Sequence, residues 1–182
     1  MSLKYELTDE INAGGLRRIR ALRDIPARGV RANDLGGWVA GEHSLSHDGY
    51  AWVFGNAQVF GNARVSGDAL VYGDARVYGD ARVSGNARVY GNAWVSGNAR
   101  VYGDGLIFWA SQVGSENGTL TVYNTRDNTL QVTRGCFVGS VDEFLEASER
   151  KHDDDTHLEY RLLIEIAHSR ITRARVKLEA AQ

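Results

Sequence analysis

The chain has 182 residues, a formal net charge of −2 and a pI near 6.2. This charge balance argues against a global attraction to nucleic acid or to a membrane surface. No apolar run approaches the ~18 residues that a membrane-spanning helix needs.

The start of the chain and its cysteine content predict where the protein works. The first residues, MSLKYELTDE, lack the basic and then apolar pattern of a secretory signal. Cys136 is the single cysteine, so no internal disulfide can form, which is typical of a reducing compartment. We expect a cytoplasmic protein, in a bacterium or a phage-infected host cell, that does not bind membranes.

Residues 1–36 are predicted to form an N-terminal cap. Their apolar side chains recur at every third position, a spacing compatible with a helix, at Leu16, Ile19, Leu22 and Ile25. Two degenerate six-residue units follow in residues 37–48, with Val39 and Leu45 predicted to point inward. Residues 49–50 are an insertion, which we interpret as a bulged corner.

From Ala51 to Asp104 the chain repeats the hexad A-x-V-x-G-(N/D) nine times. Ala and Val lie two residues apart, the period of a β-strand, so both are predicted to point inward from a short strand. Gly followed by Asn or Asp tolerates positive φ and is typical of a tight corner. Short strands alternating with corners indicate a solenoid, in which each coil buries its apolar residues against its neighbours.

The residue after each valine predicts the size of one coil. Aromatic residues and serines at this position recur best at a spacing of eighteen residues. Three hexads therefore make one coil, the solenoid is predicted over residues 37–116, and coils stack about 4.8 Å apart. Face one is defined by the hexads that start at residues 51, 69 and 87. Face two and face three are defined by the hexads six and twelve residues further on.

The end of the chain is predicted to contain a strand pair and two helices. The pair occupies residues 117–139, where TLTVYN and TLQVT are joined by a turn-rich TRDN segment. The helices occupy residues 140–182 and begin at two predicted capping boxes, Ser140-x-x-Glu143 and Thr156-x-x-Glu159. The second helix is indicated by apolar residues spaced by four, namely Leu158, Leu162 and Ile166.

The hexads resemble the hexapeptide-repeat, left-handed β-helix superfamily. The flanking segments LGGWVAGEHSLSHDGYAWVFGNA (35–57) and RGCFVGSVDEF (134–144) resemble phage-borne and YdcK-like β-solenoid proteins, which are often labelled transferases. The resemblance implies a mainly β chain built on a left-handed parallel β-helix with three hexads per coil. It also implies cap strands at the N-terminus, where the apolar spacing alone suggests a helix, and a homo-oligomer.

Face one is predicted to carry an exposed apolar stripe, a feature that marks interfaces. The stripe includes two residues of an imperfect tenth hexad and consists of Trp52, Phe54, Leu70, Tyr72, Tyr90, Leu106 and Phe108. Three interpretations stay open. The chain's own C-terminal helix covers the stripe, the chain self-associates along it as a dimer or trimer, or the rings stack between coils.

Face three is predicted to carry a column of like charges, Arg64, Arg82 and Arg100. Such charges repel one another unless something neutralises them. The corner carboxylates Asp68, Asp80 and Asp104 are one candidate. The alternative is an anion site for a phosphate, a nucleic-acid backbone or an acidic partner, extended by the N-terminal arginines Arg17, Arg18, Arg20, Arg23, Arg28 and Arg31.

The sequence offers few residues for catalysis. The acyltransferases of the resembled superfamily use a general-base histidine and coenzyme A, yet the nine regular hexads contain no histidine. His43 and His47, near the cap, are the candidates for such a base. Neither Cys-x-x-Cys nor His-x-x-x-His occurs, so we expect no metal site and no cofactor.

Three functions are therefore compared. The favoured one is a non-catalytic interaction scaffold, phage- or prophage-encoded, that binds itself and a host protein, such as a component of host defence or regulation. The second is a divergent acyltransferase that uses acetyl-coenzyme A. The third is a binder of nucleic acid or phosphate through the Arg column, which we do not favour.

Overall fold

The computed structural model describes residues 3–103 and 105–181. The N-terminal strands are β1 (Tyr5–Ile11), β2 (Arg17–Ala21) and β3 (Leu35–Val39). One two-residue strand per hexad follows: β4 (Trp52–Val53), β5 (Gln58–Val59), β6 (Arg64–Val65), β7 (Leu70–Val71), β8 (Arg76–Val77), β9 (Arg82–Val83), β10 (Arg88–Val89), β11 (Trp94–Val95) and β12 (Arg100–Val101). The C-terminal elements are β13 (Ile107–Val113), β14 (Gly118–Asn124), β15 (Leu130–Arg134), β16 (Phe137–Ser140), α1 (Val141–Lys151) and α2 (Asp154–Glu179).

The short strands form three parallel walls, as the hexad pattern predicts. Face one pairs β4 with β7 and β7 with β10, and face three pairs β6 with β9 and β9 with β12. Face two continues β3 through β5, β8 and β11. Each pairing joins residues one coil apart, and Arg64, Arg82 and Arg100 lie opposite one another on face three. The predicted fold class, a parallel β-solenoid with eighteen residues per coil, is confirmed.

Alanine and valine fill the interior of the solenoid. Each Ala and Val of the nine hexads is fully buried. Burial of a valine side chain contributes about 1.5–3 kcal/mol, which helps to offset the entropy that is lost when its hexad is ordered. The corners need glycine: Gly73 has φ of 72°, and a Cβ added there would lie 3.0 Å from the backbone nitrogen of Gly91 in the next coil.

The N-terminal cap is built mainly of strands, as the resemblance implies, with a short 3-10 helix at Pro26–Arg28 between β2 and β3. β1 and β2 pair antiparallel, β2 pairs antiparallel with β3, and β3 joins the parallel wall of face two. Ile19 of β2 is fully buried, whereas Leu22, the next residue of the helix-like spacing, is exposed. Val39 and Leu45 are buried, which confirms the inward assignment of the degenerate units.

The C-terminal sheet is larger than the predicted strand pair. β14 and β15 pair antiparallel, which confirms the pair, and β13 and β16 extend it to a four-stranded sheet. The imperfect tenth hexad does not continue face one, because Phe108 lies on β13 opposite Val122. Where a hexad would place its Gly-(Asn/Asp) corner, this segment has Trp109 and Ala110, so the chain runs straight on as a seven-residue strand.

One of the two predicted helix caps is confirmed and the other is wrong. The Ser140 hydroxyl accepts a hydrogen bond from the Glu143 backbone N–H at 3.2 Å, and the Glu143 carboxylate accepts one from the Ser140 N–H at 2.8 Å. The second helix is capped by Asp153, whose carboxylate accepts from the Thr156 N–H at 2.8 Å. Thr156 therefore lies inside α2, because an acidic side chain three residues earlier already satisfies its N–H.

α2 packs through the side of the helix opposite to its apolar residues that recur every four positions. The buried residues are Tyr160, Ile164, Ala167 and Ile171. Leu158, Leu162 and Ile166, which predict the helix, are exposed. Among the described residues, no helix combines the length and apolar character that crossing a bilayer requires.

Candidate interaction surfaces

Face one carries a column of stacked aromatic rings. Because β7 and β10 pair in register, the side chains of Tyr72 and Tyr90 meet one coil apart, with ring centroids 4.7 Å apart and planes 8° from parallel. Trp109 closes the column edge-on, its ring 4.3 Å from that of Tyr90. Burial and the neighbouring Tyr90 raise the pKa of Tyr72. The structure thus places Trp109 against the column, where the sequence suggested Phe108.

Only part of the predicted stripe is accessible. Trp52 and Leu106 are fully buried, so neither can contribute to an exposed surface. Trp52 points outward from its strand but is covered by Tyr5 of the cap, whose ring packs edge-on at 6.4 Å. Tyr90 is 39% exposed. We define the face-one ladder as the accessible members of the stripe on the solenoid: Phe54, Leu70, Tyr72 and Tyr90.

The C-terminal helix packs elsewhere. α2 lies against β13 and β14, and its last turns reach the end of the solenoid, where Leu178 lies within contact distance of Gly103. The main contacts of α2 are with the sheet whose strand β13 carries Phe108, and not with the face-one strands β4, β7 and β10, so the hypothesis that this helix covers the stripe along the solenoid is wrong. Ring stacking between coils is present in the structure, and self-association along the stripe stays a prediction.

Face three presents its arginines differently from one another. Arg64 and Arg82 are exposed, whereas the Arg100 guanidinium donates to the carbonyl oxygens of Ala99 at 2.9 Å and Asp80 at 3.1 Å. Partial burial lowers the pKa of Arg100, and the nearby charges of Arg126 and Arg82 lower it further. The column is thus most open to solvent at its N-terminal end.

Asp68 and Asp80, two of the three corner carboxylates expected to neutralise this column, form no salt bridge with its arginines in the described part of the chain. Asp68 lies 4.0 Å from Arg28, and the Asp80 carboxylate accepts from the Asn62 side-chain amide at 3.1 Å. Asp104 lies outside the described residues. Within residues 3–103 and 105–181, no ion pair involves Arg64 or Arg82.

Three of the six N-terminal arginines have local partners instead of extending the column. Arg18 forms a salt bridge with Glu10, and Arg20 forms one with Glu6, both between β1 and β2. Arg28 donates to the carbonyl oxygens of Tyr50 at 3.0 Å and Asp68 at 2.7 Å. Arg28 thereby fastens the cap to a solenoid corner.

Both candidate histidines contribute contacts at the cap. The Nε2 of His43 lies 2.9 Å from the carbonyl oxygen of Gly61, so this nitrogen carries the proton and donates. The Nδ1 of His47 accepts from the Lys4 backbone N–H at 3.2 Å, and the His47 ring stacks on Tyr5 at 4.3 Å. These contacts give each imidazole a structural role between the cap and the coils.

A buried lysine and tyrosine, which the sequence pattern does not reveal, hold the first coil. The Lys4 ammonium donates to the Ala51 carbonyl oxygen at 2.8 Å, beside the two-residue insertion, and burial lowers the pKa of Lys4 to about 8. The Tyr5 hydroxyl donates to the Leu45 carbonyl oxygen at 2.7 Å, and burial raises the pKa of Tyr5 to about 12. Because Lys4 and Tyr5 are adjacent, the two-residue period of a strand would place them on opposite sides, so it does not predict that both are buried.

A cleft of about 310 Å³ separates face two from the C-terminal sheet. Its solenoid side carries Arg76, stacked over the Trp94 ring at 4.8 Å, and its sheet side carries Arg134. The Arg134 guanidinium is already engaged, because it donates to the Tyr160 hydroxyl at 3.1 Å and to the Val113 carbonyl oxygen at 3.2 Å. We therefore interpret the cleft as the junction where the C-terminal sheet packs against the solenoid.

Comparisons with known proteins agree with the solenoid. The family model described as the YdcK β-solenoid repeat matches three overlapping segments, residues 57–73, 69–84 and 81–97. These segments lie within the regular hexads and cover parts of all three faces. A search of curated proteins finds no match.

Proposed function

We propose that the protein is a non-catalytic interaction scaffold that self-associates and holds a protein partner on the face-one ladder. In the form that the sequence resemblance suggests, it is encoded by a phage or prophage and acts in the cytoplasm on a host protein. The observation that carries the proposal is the flat column of stacked, accessible aromatic side chains on face one.

The composition of the ladder suits protein recognition. Tyrosine and arginine are enriched at the energetic centres of interfaces, because each combines a large contact area with hydrogen-bonding groups. On face one, Tyr90 and the exposed Arg88 occupy neighbouring positions of one hexad, beside the half-buried Leu70 and Tyr72. A complementary partner surface offers a flat apolar centre with carboxylate or carbonyl acceptors for the guanidinium and the phenol hydroxyls.

The rigidity of the solenoid wall adds to the proposal. The ladder side chains lie on or beside strands that are hydrogen-bonded to a neighbouring coil, as in the Phe54 N–H to Val71 and Tyr72 N–H to Val89 bonds at 2.8 and 3.0 Å. A preordered surface loses less conformational entropy on binding than a flexible loop does. Face one can therefore bind a partner without rearrangement of its backbone.

The test compares immobilised wild-type protein with two double variants in a bacterial lysate. Tyr72→Glu/Tyr90→Glu places charges on the ladder, and Arg64→Glu/Arg82→Glu is the matched control on face three. We expect a protein that the wild type and the arginine variant retain and that the tyrosine variant loses at least tenfold. Equal retention by all three proteins would remove the ladder as the partner surface. Circular dichroism checks that both variants keep the solenoid.

A second candidate function is binding of a polyanion by face three. It is favoured by the exposed Arg64 and Arg82, which lie in register and pair with no carboxylate in the described part of the chain. Each phosphate contact makes affinity fall as salt concentration rises. The Arg64→Glu/Arg82→Glu variant tests this candidate, since loss of salt-dependent binding to single-stranded DNA or polyphosphate supports it and equal binding contradicts it.

A further inference from the structure

α2 carries large apolar side chains on two opposite faces. Its inner face, which includes Tyr160 and Ile164, is buried against the rest of the protein. Successive residues of an α-helix are about 100° apart, so residues two positions earlier lie on nearly the opposite side. We define the outer face of α2 by its exposed apolar residues: Leu158, 41% exposed; Leu162, 49%; Ile166, 49%; and Val176, 60%.

The residues of the outer face form a stripe along the helix. Leu158, Leu162 and Ile166 are each about one turn apart, and Val176 lies eighteen residues, or about five full turns, beyond Leu158. Isolated surface leucines are ordinary, but four large apolar residues along one side of a single helix indicate a covered surface. Within this chain, α2 already satisfies its packing with the inner face.

The charges of α2 are divided between its two ends. Acidic residues predominate at its start, where Asp153, Asp154, Asp155 and Glu159 outnumber Arg161, and basic residues predominate at its end, where Arg170, Arg173, Arg175 and Lys177 outnumber Glu179. Arg175 is bound within the chain, because its guanidinium donates to the Asn124 side-chain oxygen at 2.6 Å. Arg170, Arg173 and Lys177 are exposed.

This distribution selects both the occupant and its orientation. An antiparallel copy of the same helix brings its basic end to the acidic start of α2 and its acidic start to the basic end, and the two helix dipoles also oppose favourably. A parallel copy would place acid beside acid and base beside base. We propose that a second copy of this chain packs its own α2 antiparallel against the outer face of α2, forming a two-fold homodimer.

The proposed pairing has a definite register. A two-fold axis near residue 167 places Leu158 of each copy opposite Val176 of the other and brings the two Ile166 side chains together beside the axis. Glu159 then lies within about one turn of Arg173 and Lys177 of the other copy. This pairing rests on the self-association in the proposed function, places it on α2 instead of on the face-one stripe where the sequence suggested it, and leaves the face-one ladder free for a different partner.

The first test measures mass by light scattering on the full chain. Wild-type protein is expected to have the mass of a dimer, and Leu162→Glu/Ile166→Glu that of a monomer with unchanged helix content by circular dichroism. Val138→Glu is the matched control, since Val138 is an exposed apolar residue outside α2, and it is expected to remain dimeric. A monomeric wild type, or a Leu162→Glu/Ile166→Glu variant that keeps the dimer mass, would overturn the proposal.

The second test fixes orientation by disulfide cross-linking in a Cys136→Ser background. An equal mixture of the Leu158→Cys and Val176→Cys proteins is expected to give a cross-linked dimer containing one of each, while each protein alone stays uncross-linked. Efficient self-cross-linking of Leu158→Cys alone contradicts the antiparallel arrangement.

The face-one variant separates this inference from the proposed partner surface. Tyr72→Glu/Tyr90→Glu is expected to keep the dimer mass, because the ladder lies outside the proposed dimer interface. If instead it becomes monomeric while Leu162→Glu/Ile166→Glu remains dimeric, the second copy sits on face one. That result would overturn the α2 dimer and also the assignment of the ladder to a different partner.

Discussion

At the scale of single residues, equivalent positions of the repeat differ in solvent exposure. Trp52, Leu70 and Arg88 occupy one column of face one, yet Trp52 is buried and Arg88 is exposed. The cause is Tyr5, which covers the first coil from a position 47 residues earlier in the chain. The two-residue period correctly predicts that Ala and Val point inward, because the alternation of side chains along a strand is a local property. It cannot predict burial by a distant cap strand.

Lys4 makes stability depend on pH. Its pKa is about 8 in the folded protein and 10.5 in the unfolded chain, so between these values the unfolded chain binds more protons. Stability therefore rises with pH across this window, by at most about 1.4 kcal/mol per pH unit for one proton. Below pH 8 both states are protonated, and the folded protein carries the full cost of the buried charge.

The prediction is tested by chemical unfolding of the wild type and Lys4→Met between pH 7 and about 9, below the pKa of about 10 at which tyrosines ionise in the unfolded chain. The free energy of unfolding of the wild type is expected to rise relative to that of the variant across this range. Lys151→Met, at an exposed lysine, is the control and is expected to show no such rise. A constant difference between the wild type and Lys4→Met would mean that Lys4 is not buried as a cation.

At the scale of the element, the corners of the coils explain the invariance of glycine in the hexads. Two separate constraints act there, the positive φ and the contact with the next coil. Gly73 has both, with φ of 72° and a potential Cβ 3.0 Å from the Gly91 nitrogen. Gly55 has φ of 59° but has open space where a Cβ would lie.

The two constraints can therefore be separated by a matched pair of variants. Gly55→Ala is expected to lower the free energy of unfolding by about 1–2 kcal/mol, the cost of a left-handed conformation for a residue with a Cβ. Gly73→Ala is expected to cost more, since the coil beneath it must also shift. Urea unfolding measures both, and equal losses would show that coil contact adds nothing to the requirement for glycine.

The helices show where sequence patterns mislead at this scale. The spacing of Leu158, Leu162 and Ile166 correctly predicts a helix, but these residues face outward and the less regular set with Tyr160 and Ala167 faces the sheet. Periodicity identifies an apolar side without identifying what covers it. Both helix caps join residues three apart: the Ser140 box is confirmed, whereas the second prediction is wrong because Asp153, an equally good cap residue, precedes Thr156 by three positions.

At the scale of the whole molecule, the protein is a three-faced tube closed at both ends. The cap strands continue face two at one end, and the antiparallel sheet with its two helices follows the last coil at the other. The hexads predicted the tube and its columns, because each coil repeats the same local rule. The closing sheet was only partly predictable: β14 and β15 carry turn signals between them, but nothing short-range distinguishes β13 from a tenth hexad until its missing corner at Trp109.

The architecture presents the proposed surfaces on separate parts of the molecule. The tube fixes the face-one ladder and the Arg column in register, and α2 extends the molecule with a second apolar face. In the proposed assembly, the outer face of α2 joins two copies and each copy presents its ladder to a partner. Every surface proposal on the solenoid depends on the eighteen-residue coil, since a different period would distribute Tyr72 and Tyr90, or Arg64 and Arg82, over different faces.

The most direct test of that period is a pair of engineered disulfides in a Cys136→Ser background. Ser66 and Ser84 lie one coil apart on face three, so their Cα atoms are about 4.8 Å apart, within the range that a disulfide spans. Ser66→Cys/Ser84→Cys is expected to oxidise within the monomer and to raise the melting temperature. Ser66→Cys/Tyr78→Cys, twelve residues apart on different faces, is expected to stay reduced; oxidation of this second pair but not of the first would contradict the three-faced coil.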